Sequence, residues 1–261
     1  MPAMMPQAAG PYPTDVCAVV LAAGEGARLR PLTLRRPKLL CPVDGTPLVD
    51  LALERAATAV DGGAVAVNLF HGREALADHL DGRAHLSVEH GEARGTAGAL
   101  GVLRPWIDGR GVLVLNGDTW APGDLAPFVA AWDRERVRVL VAGDDHLGPA
   151  SRIAGACMPW AEVARLGPEP TGLWEVSWRY RLAEGEVDVV RWDGPWVDCG
   201  TPAQYLAANL AVSGGAPVVG EGAEVHGGLD RSVVWPGAHV RAGETLVHAI
   251  RADDYMTVLV R

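Results

Sequence analysis

A dense group of cationic residues follows a glycine-rich turn near the start of the chain. The stretch "LAAGEGARLRPLTLRRPKLL", at 21–40, contains Arg28, Arg30, Arg35, Arg36 and Lys38. Lys38 is the only lysine among the 23 lysine and arginine residues of the protein. Glycines let main-chain N–H groups approach phosphate oxygens because no Cβ atom intrudes, and a local basic cluster can hold a small polyanion. The stretch therefore predicts a site for a phosphorylated molecule.

Two common phosphate-binding motifs do not fit this stretch. The dinucleotide fingerprint G-x-G-x-x-G needs a third glycine, but "GEGARL" has Leu29 at that position. Pro31 then interrupts any helix that would start directly after the turn. A Walker A loop is also excluded, because no Gly-Lys-Ser/Thr follows the glycines.

The stretch resembles the signature of the sugar-1-phosphate nucleotidylyltransferases, which is written G-x-G-T-R-L-x-P-L-T…P-K. Three later stretches are similar to further motifs of this family: "GTAGAL" (95–100), "LVLNGD" (113–118) and "WVDCGTPAQYLAANL" (196–210). The resemblance covers roughly residues 15–213, and four motifs in the family's order are more specific than any one alone. A short left-handed β-helix tail is also common in this family, particularly in members similar to mannose-1-phosphate guanylyltransferase.

The resemblance implies a reaction and a set of catalytic groups. A sugar-1-phosphate oxygen would attack the α-phosphorus of a nucleoside triphosphate, and pyrophosphate would leave. Arg28 and Lys38 would be the catalytic cations that bind the phosphates. Asp118 and Asp198 would bind Mg²⁺ as cofactor. The alternatives are a chance surface lysine at position 38 and a helix N-cap at either aspartate.

The family's nucleotide-binding edge maps onto two segments of this chain. The expected nucleotide-binding residues are Leu21, Ala22, Ala23, Gly24, Gly26, Gly95, Thr96 and Gly98. Members that select thymidine or uridine often have a glutamine in the second segment, and its absence here favours GTP. Glu89 and Glu92 could bond the base or ribose, but a solvated strand end is the preferred interpretation for both.

The sugar-binding part of the resemblance is less complete. Its expected sugar-phosphate contacts are Gly155, Glu175, Arg152 and Arg179. The family's mid-chain "E-K-P" lysine has no counterpart, so Arg152 or Arg179 must fill that role if it survives, and Ala27 stands where threonine is usual. Trp174 and Trp178 are expected to pack in the core or a lid.

These departures leave two other functions open. One is a regulatory subunit that binds a nucleotide-sugar but has lost catalysis. The other is a nucleotide-sugar glycosyltransferase with a related sheet, although such enzymes usually carry Asp-x-Asp and "GDT" offers a single aspartate. The sugar itself is not determined by the sequence.

Composition limits the remaining classes. The formal net charge of −9 argues against a nucleic-acid or membrane-surface partner, since both need a broad basic face. No stretch approaches the roughly 20 apolar residues of a membrane span. The four cysteines are widely spaced, which predicts buried reduced thiols in a cytoplasmic protein.

Apolar periodicity predicts an open α/β sheet, Rossmann-like and mostly parallel, with helices on both faces. The predicted strands are 16–24, 64–70, 85–90, 111–118, 137–143, 152–158 and 187–191. The predicted helices are 46–60, 73–80, 96–106, 123–136, 172–184 and 201–213. Thr46 and Thr201 are at the starts of two of them, and Thr46 is expected to be an N-cap.

The pattern changes after residue 213. Val219 and Val225 lie six residues apart, and after a break Val234, Val240 and Leu246 continue at intervals of six, with small turn residues between them. This period is typical of a β-helix coil, and a plain hairpin meander is the alternative. We therefore predict a disordered leader at 1–14, a catalytic domain at 15–213 and a short hexapeptide-repeat tail at 214–261, through which copies of the chain could associate as a homo-oligomer.

Overall fold

A computed structural model describes residues 13–260, so the predicted leader lies outside the described residues except for Pro13 and Thr14. The strands of the first part are β1 (Val16–Leu21), β2 (Pro42–Val43), β3 (Thr46–Pro47), β4 (Val65–Leu69), β5 (His85–Val88), β6 (Gly111–Asn116), β7 (Thr119–Trp120), β8 (Val137–Ala142), β9 (Ile153–Met158), β10 (Val187–Trp192) and β11 (Val197–Asp198). The helices are α1 (Leu48–Ala56), α2 (Arg73–Leu80), α3 (Gly95–Ile107), α4 (Ala126–Ala130), α5 (Trp160–Val163), α6 (Arg179–Ala183) and α7 (Pro202–Val212).

Seven strands form one central sheet in the order β10-β8-β9-β6-β1-β4-β5. All neighbours pair in parallel except at β9, which is antiparallel to both β6 and β8. The segment between β8 and β9 contains no helix that could return the chain to the starting edge, so β9 runs back directly. The mixed α/β fold with a large, mostly parallel sheet confirms the predicted class.

Apolar side chains cover both faces of this sheet. Along β1, Val16, Ala18 and Val20 join a core that contains residues of α1, α2 and α4. Cys17 and Val19 point the other way, into a core with residues of α3 and α5. Strands buried on both faces read as continuous apolar runs, which is why "VCAVVL" gave a clear signal.

Several predicted helices differ from the observed ones. The helix expected at 123–136 shortens to α4, because Asp124 and Asp133 accept backbone N–H bonds in the turns before and after it. Thr46 is not an N-cap: it pairs with Val43 in a two-residue ladder, and α1 begins only at Leu48. The helix expected at 172–184 is a π-helical turn at Trp174–Trp178 followed by α6.

Up to residue 260, where the described part ends, the tail contains eight short strands: β12 (Val218–Val219), β13 (Glu224–Val225), β14 (Gly228–Asp230), β15 (Val233–Val234), β16 (His239–Val240), β17 (Thr245–Val247), β18 (Ala249–Asp253) and β19 (Met256–Leu259). β12, β13 and β14 pair in parallel with β15, β16 and β17, and β15 pairs in parallel with β18. Val234, Val240 and Leu246 are buried as the six-residue period predicts, but Val219 is exposed and Val218 is buried in its place.

A third core joins the tail to the first part of the chain. It contains Leu29 and Leu32 from the basic stretch, Tyr205 from α7, and Val233 and Trp235 from the tail. In the described part of the chain, no helix combines the length and apolar character needed to cross a membrane. All four cysteines are free and buried, as predicted.

Candidate functional site

Lys38 lies between the two aspartates expected to bind metal. Its Nζ atom is 2.5 Å from Asp118 Oδ2 and 3.7 Å from Asp198 Oδ1. Only 5% of the Lys38 side chain is exposed, whereas the two carboxylates are a third and a quarter exposed. The ammonium group is therefore held from inside the protein, and both carboxylates remain open to solvent on their other side.

Arg28 approaches Asp198 from the surface. Its Nη2 atom is 3.5 Å from Asp198 Oδ2, and 71% of its side chain is exposed. A Cβ atom added to Gly200 would lie 2.9 Å from both Arg28 Nη2 and Asp198 Oδ2, so the glycine leaves the space that this contact uses. The structure thus brings together all four residues expected to act on phosphate and metal.

Short strands at the end of the sheet fix the two acids relative to each other. Asp118 follows β6, and the antiparallel pair β7–β11 sets Asp198 opposite Thr119. The Cys199 N–H donates to the Asp118 carbonyl at 3.0 Å, and the Gly117 N–H donates to the Leu21 carbonyl at 2.9 Å. Neither aspartate caps a helix, since Thr201 takes that place before α7.

Cys199 lies directly beside Asp198 but is not available for chemistry. Burial raises the pKa of its thiol to about 12, and Lys38 acts in the opposite direction. The thiol therefore stays protonated at neutral pH, and no nucleophilic role follows from its position next to the acids.

The two glycines of the turn have different environments. Gly26 has φ of +69°, and a Cβ atom there would lie 2.9 Å from Lys38 Cβ and 3.0 Å from Thr33 Cγ2. Apart from the adjoining residues of the chain, no heavy atom of the described residues lies within 4 Å of the position that a Cβ atom on Gly24 would take. The fold requires glycine at 26, because a left-handed residue packs against Lys38, but it does not require glycine at 24.

In the structure, the other three cations of the stretch contact groups other than the two acids. Arg30 pairs with Glu25 at 2.7 Å on the surface. Arg35 pairs with Asp253 of the tail at 2.7 Å, and the Arg36 guanidinium lies 4.7 Å from the Trp235 ring centroid.

A buried hydrogen-bond chain links the turn to the segment before α3. Asn68 Oδ1 accepts from the Ala22 N–H, and Asn68 Nδ2 donates to Glu89 Oε1, both at 2.8 Å. Glu89 Oε2 accepts from the Arg94 N–H at 2.7 Å. Glu89 is therefore buried and not a solvated strand end, and sequence analysis missed Asn68, whose only signal was a polar residue inside an apolar strand.

The second nucleotide segment is packed against a loop. Added Cβ atoms at Gly95 and Gly98 would lie 2.5 Å from the carbonyl oxygens of Thr171 and Glu169. The Thr96 hydroxyl accepts from the Leu173 N–H at 2.8 Å. Close packing against this loop therefore favours glycine at positions 95 and 98, in addition to the nucleotide binding that the motif implies.

A cavity of about 160 Å³ opens between the two segments and the π-helical turn. Its lining includes Leu21, Thr96, Asn116 and Glu175. All of these except Asn116 were expected site residues, so the structure places three expected residues around one cavity. Trp178 also borders it and is buried in the core, as expected.

The other expected sugar contacts are not at this cavity. A Cβ atom on Gly155 would lie 3.3 Å from Leu115 Cδ2, in the core on the other face of the sheet. Arg152 lies 5.7 Å from the Trp196 ring and lines a separate cavity, and Arg179 contacts the adjacent Tyr180. Position in sequence alone could not assign these three, because no spacing fixed them to the motif residues.

Comparison with known proteins gives a consistent family. A family model described as "Nucleotidyl transferase" matches residues 17–147. N-acetylmuramate alpha-1-phosphate uridylyltransferase of Caulobacter vibrioides is 32% identical over 233 residues, covering 75% of this chain and 96% of the relative. Mannose-1-phosphate guanylyltransferase of Mycobacterium tuberculosis is 28% identical over 304 residues, covering 88% and 82%.

A longer relative and a solved structure agree with this. Bifunctional protein GlmU of Methanocaldococcus jannaschii is 34% identical over 219 residues, which cover 74% of this chain, and the chain spans 53% of that relative. A Bacillus anthracis structure provisionally named a glucose-1-phosphate thymidylyltransferase has a TM-score of 0.63 at 20% identity, covering 75% of this chain and 94% of that one, and supports the fold. The chain belongs to the sugar-1-phosphate nucleotidylyltransferase family.

Proposed function

We propose that the protein condenses a sugar-1-phosphate with a nucleoside triphosphate to give a nucleotide-sugar and pyrophosphate. The observation that carries this proposal is the position of Lys38 Nζ within 4 Å of both Asp118 and Asp198, with Arg28 on the exposed side. Two polyanions must come together in this reaction, so the protein mainly has to position them and offset their charge. Lys38 would bind a phosphate as a compact cation, and Arg28 would bind the leaving phosphates as a planar donor.

The donor set at the two acids fits Mg²⁺, the proposed cofactor. Two half-buried carboxylates that approach one cation and keep a solvent-facing side match the preference of Mg²⁺ for carboxylate oxygens and retained waters. Asp118 and Asp198 would hold it, and it would supply charge neutralisation on phosphate oxygens. The ammonium group of Lys38 contacts both carboxylates from the buried side of the site.

GTP is the proposed nucleotide and mannose-1-phosphate the first sugar phosphate to test. The 95–98 segment lacks the glutamine expected for thymidine or uridine, and the guanylyltransferase relative covers 88% of this chain. The uridylyltransferase relative supports UTP with N-acetylmuramate 1-phosphate as the competing pair. Pyrophosphate release should be measured with both pairs under identical Mg²⁺ concentrations.

Substitution of the central residues tests the site. We expect Asp118→Ala or Lys38→Ala to lower turnover at least about 100-fold, the scale of losing an electrostatic contact to the transition state. Lys38→Arg should not restore activity, since a guanidinium is too wide for the space between the two carboxylates. Arg30→Gln is the matched control, because Arg30 pairs with Glu25 on the surface, and its turnover should stay within about twofold of the parent.

Near-normal turnover in both alanine variants would reject the site. Tight binding of a nucleotide-sugar without pyrophosphate release for any substrate pair would instead favour the regulatory subunit. Sugar transfer to an acceptor without pyrophosphate chemistry would favour a glycosyltransferase.

The boundary near residue 213 and the form of the tail are also proposals. The parallel pairing of three successive strands with the next three supports a short β-helix, for which we propose the left-handed form. Exposed Val219, Val247 and Leu259 on the tail support association of copies of the chain. Light scattering of the full chain and of a Val247→Asp variant would test this association.

A further inference from the structure

Four consecutive residues of the basic stretch each have a different anchor. Arg35 Nε is 2.7 Å from Asp253 Oδ2, and the Arg36 guanidinium stacks on Trp235. Pro37 fills the space over Gly72, where an added Cβ would lie 2.5 Å from Pro37 Cγ. Lys38 then reaches Asp118. Two of the anchors that precede the central lysine therefore belong to the tail.

Trp235 connects the tail anchor to the rest of the site. It is 1% exposed, and its Nε1–H donates to the Tyr205 hydroxyl at 2.9 Å. The Tyr205 hydroxyl donates in turn to the Pro42 carbonyl, which lies on the other side of Lys38 along the chain. The segment that carries Lys38 is thus held before and after the lysine by groups that meet at one buried indole.

We infer that the tail positions the segment carrying Lys38, with Asp253 and Trp235 as positioning residues that do not touch substrate. A lysine that must lie between two carboxylates depends on the backbone beneath it, and a displacement of about 1 Å in such groups is costly for turnover. The effect on turnover rests on the proposed function, whereas the anchoring of the segment does not. The two parts therefore need separate measurements.

The single lysine of this protein supplies a measurement that is independent of activity. Endoproteinase Lys-C can cut the untagged chain only after Lys38, and that side chain is 5% exposed, so cleavage requires the segment to open. We expect Arg35→Asp and Asp253→Arg each to raise the cleavage rate and to lower kcat roughly threefold to tenfold. The double variant restores the ion pair in reverse, and both values should return to within about twofold of the parent.

The reversed ion pair distinguishes two roles for Arg35: anchoring the segment through Asp253, or contacting a phosphate of the substrate. If Arg35 contacted phosphate, the double variant would remain as impaired in turnover as Arg35→Asp, and the inference would be wrong. It would also be wrong if both single variants showed parental cleavage. If the parent released no pyrophosphate with any substrate pair while cleavage followed the expected pattern, the proposed function would fail and the anchoring would stand.

Leu246→Ala controls for loss of tail stability alone. Leu246 is buried in a small core within the tail that contains none of the anchoring residues. This variant should lower the melting temperature and leave kcat and Lys-C cleavage below that temperature near the parental values. Trp235→Phe keeps an aromatic ring but removes the Nε1 donor, so it should raise cleavage more than Leu246→Ala does. The opposite order would contradict a positioning role for Trp235.

Discussion

At the scale of single residues, the chemistry of this site depends on which cation reaches which carboxylate. Five cationic residues occur within one short stretch, but only Arg28 and Lys38 contact the acids. Of the remaining three, Arg30 pairs with Glu25 within the turn, and the other two contact side chains of the tail. A lysine suits the buried position because its compact ammonium can bond two carboxylates in a narrow space, whereas arginine presents a wide planar fork.

The glycine turn makes a prediction at the same scale. Gly24→Ala should leave the melting temperature unchanged, because within residues 13–260 the added Cβ meets no atom closer than 4 Å beyond its chain neighbours. It should raise KM for the nucleoside triphosphate about tenfold or more if phosphate oxygens approach this backbone closely, since tenfold corresponds to about 1.4 kcal/mol. Thermal unfolding and steady-state pyrophosphate release measure the two effects.

Gly26→Ala is the comparison for this prediction. A left-handed φ of +69° and contacts of 2.9 Å to Lys38 Cβ mean that this variant should lose both melting temperature and turnover. If Gly24→Ala and Gly26→Ala lost the same amount of stability, both glycines would be required for folding, and the proposed phosphate contact at Gly24 would lose its support.

At the scale of elements, packing explains which predictions from sequence succeeded. β1 and β6 are buried on both faces, and their apolar runs located Asp118 and the turn correctly. The helix predicted at 123–136 failed because local carboxylate-to-backbone bonds from Asp124 and Asp133 compete with helix formation. The partners of Arg35 and Arg36 were not predicted, because Asp253 and Trp235 lie about 200 residues away in sequence and no local pattern reports such contacts.

The buried chain through Asn68 and Glu89 couples three elements and gives a second prediction. Glu89→Gln would place an amide nitrogen against either the Asn68 Nδ2 or the Arg94 N–H donor, so one hydrogen bond is lost. Because these bonds join the turn to the start of α3, KM for the nucleoside triphosphate should rise about tenfold while kcat changes less than about twofold.

Glu92→Gln is the matched control for this substitution, because Glu92 is exposed in the same segment. Its KM should equal that of the parent in the same pyrophosphate assay. An equal rise in both variants would assign the effect to the charge of the segment and not to the buried bonds.

At the scale of the whole molecule, the site lies where the central sheet, the turn, α7 and the tail meet. The core that contains Leu29, Tyr205 and Trp235 is formed by segments that are far apart in sequence. Apolar periodicity predicted the separate segments but not that they pack together. The tail's own repeat was readable from the sequence because burial follows its six-residue period at Val234 and Val240. The tail's contact with the segment that carries Lys38 joins side chains that are distant in sequence, so no local sequence pattern predicts it.

The buried thiols make a prediction for the whole fold. Burial raises the pKa of Cys17 to about 11 and those of Cys41, Cys157 and Cys199 to about 12, above the ordinary value of 9.0. The unfolded chain therefore releases these protons near pH 9, while the folded chain keeps them. Their contribution to stability is complete below pH 9. It is lost as the pH rises from 9 toward the pKa of each folded thiol, about 11 for Cys17 and about 12 for the other three, because unfolding releases protons in that range.

Cys157→Ala isolates one of these thiols away from the candidate site. The variant should be less stable than the parent at pH 8, because a buried sulfur is removed from the core. Between pH 9 and 10.5, however, its free energy of unfolding in urea should fall less steeply than that of the parent, since one fewer proton is released on unfolding. Other titrating groups are common to both proteins and cancel in the comparison. Parallel pH profiles for the two proteins would mean that the Cys157 thiol ionises as readily in the folded chain as in the unfolded one.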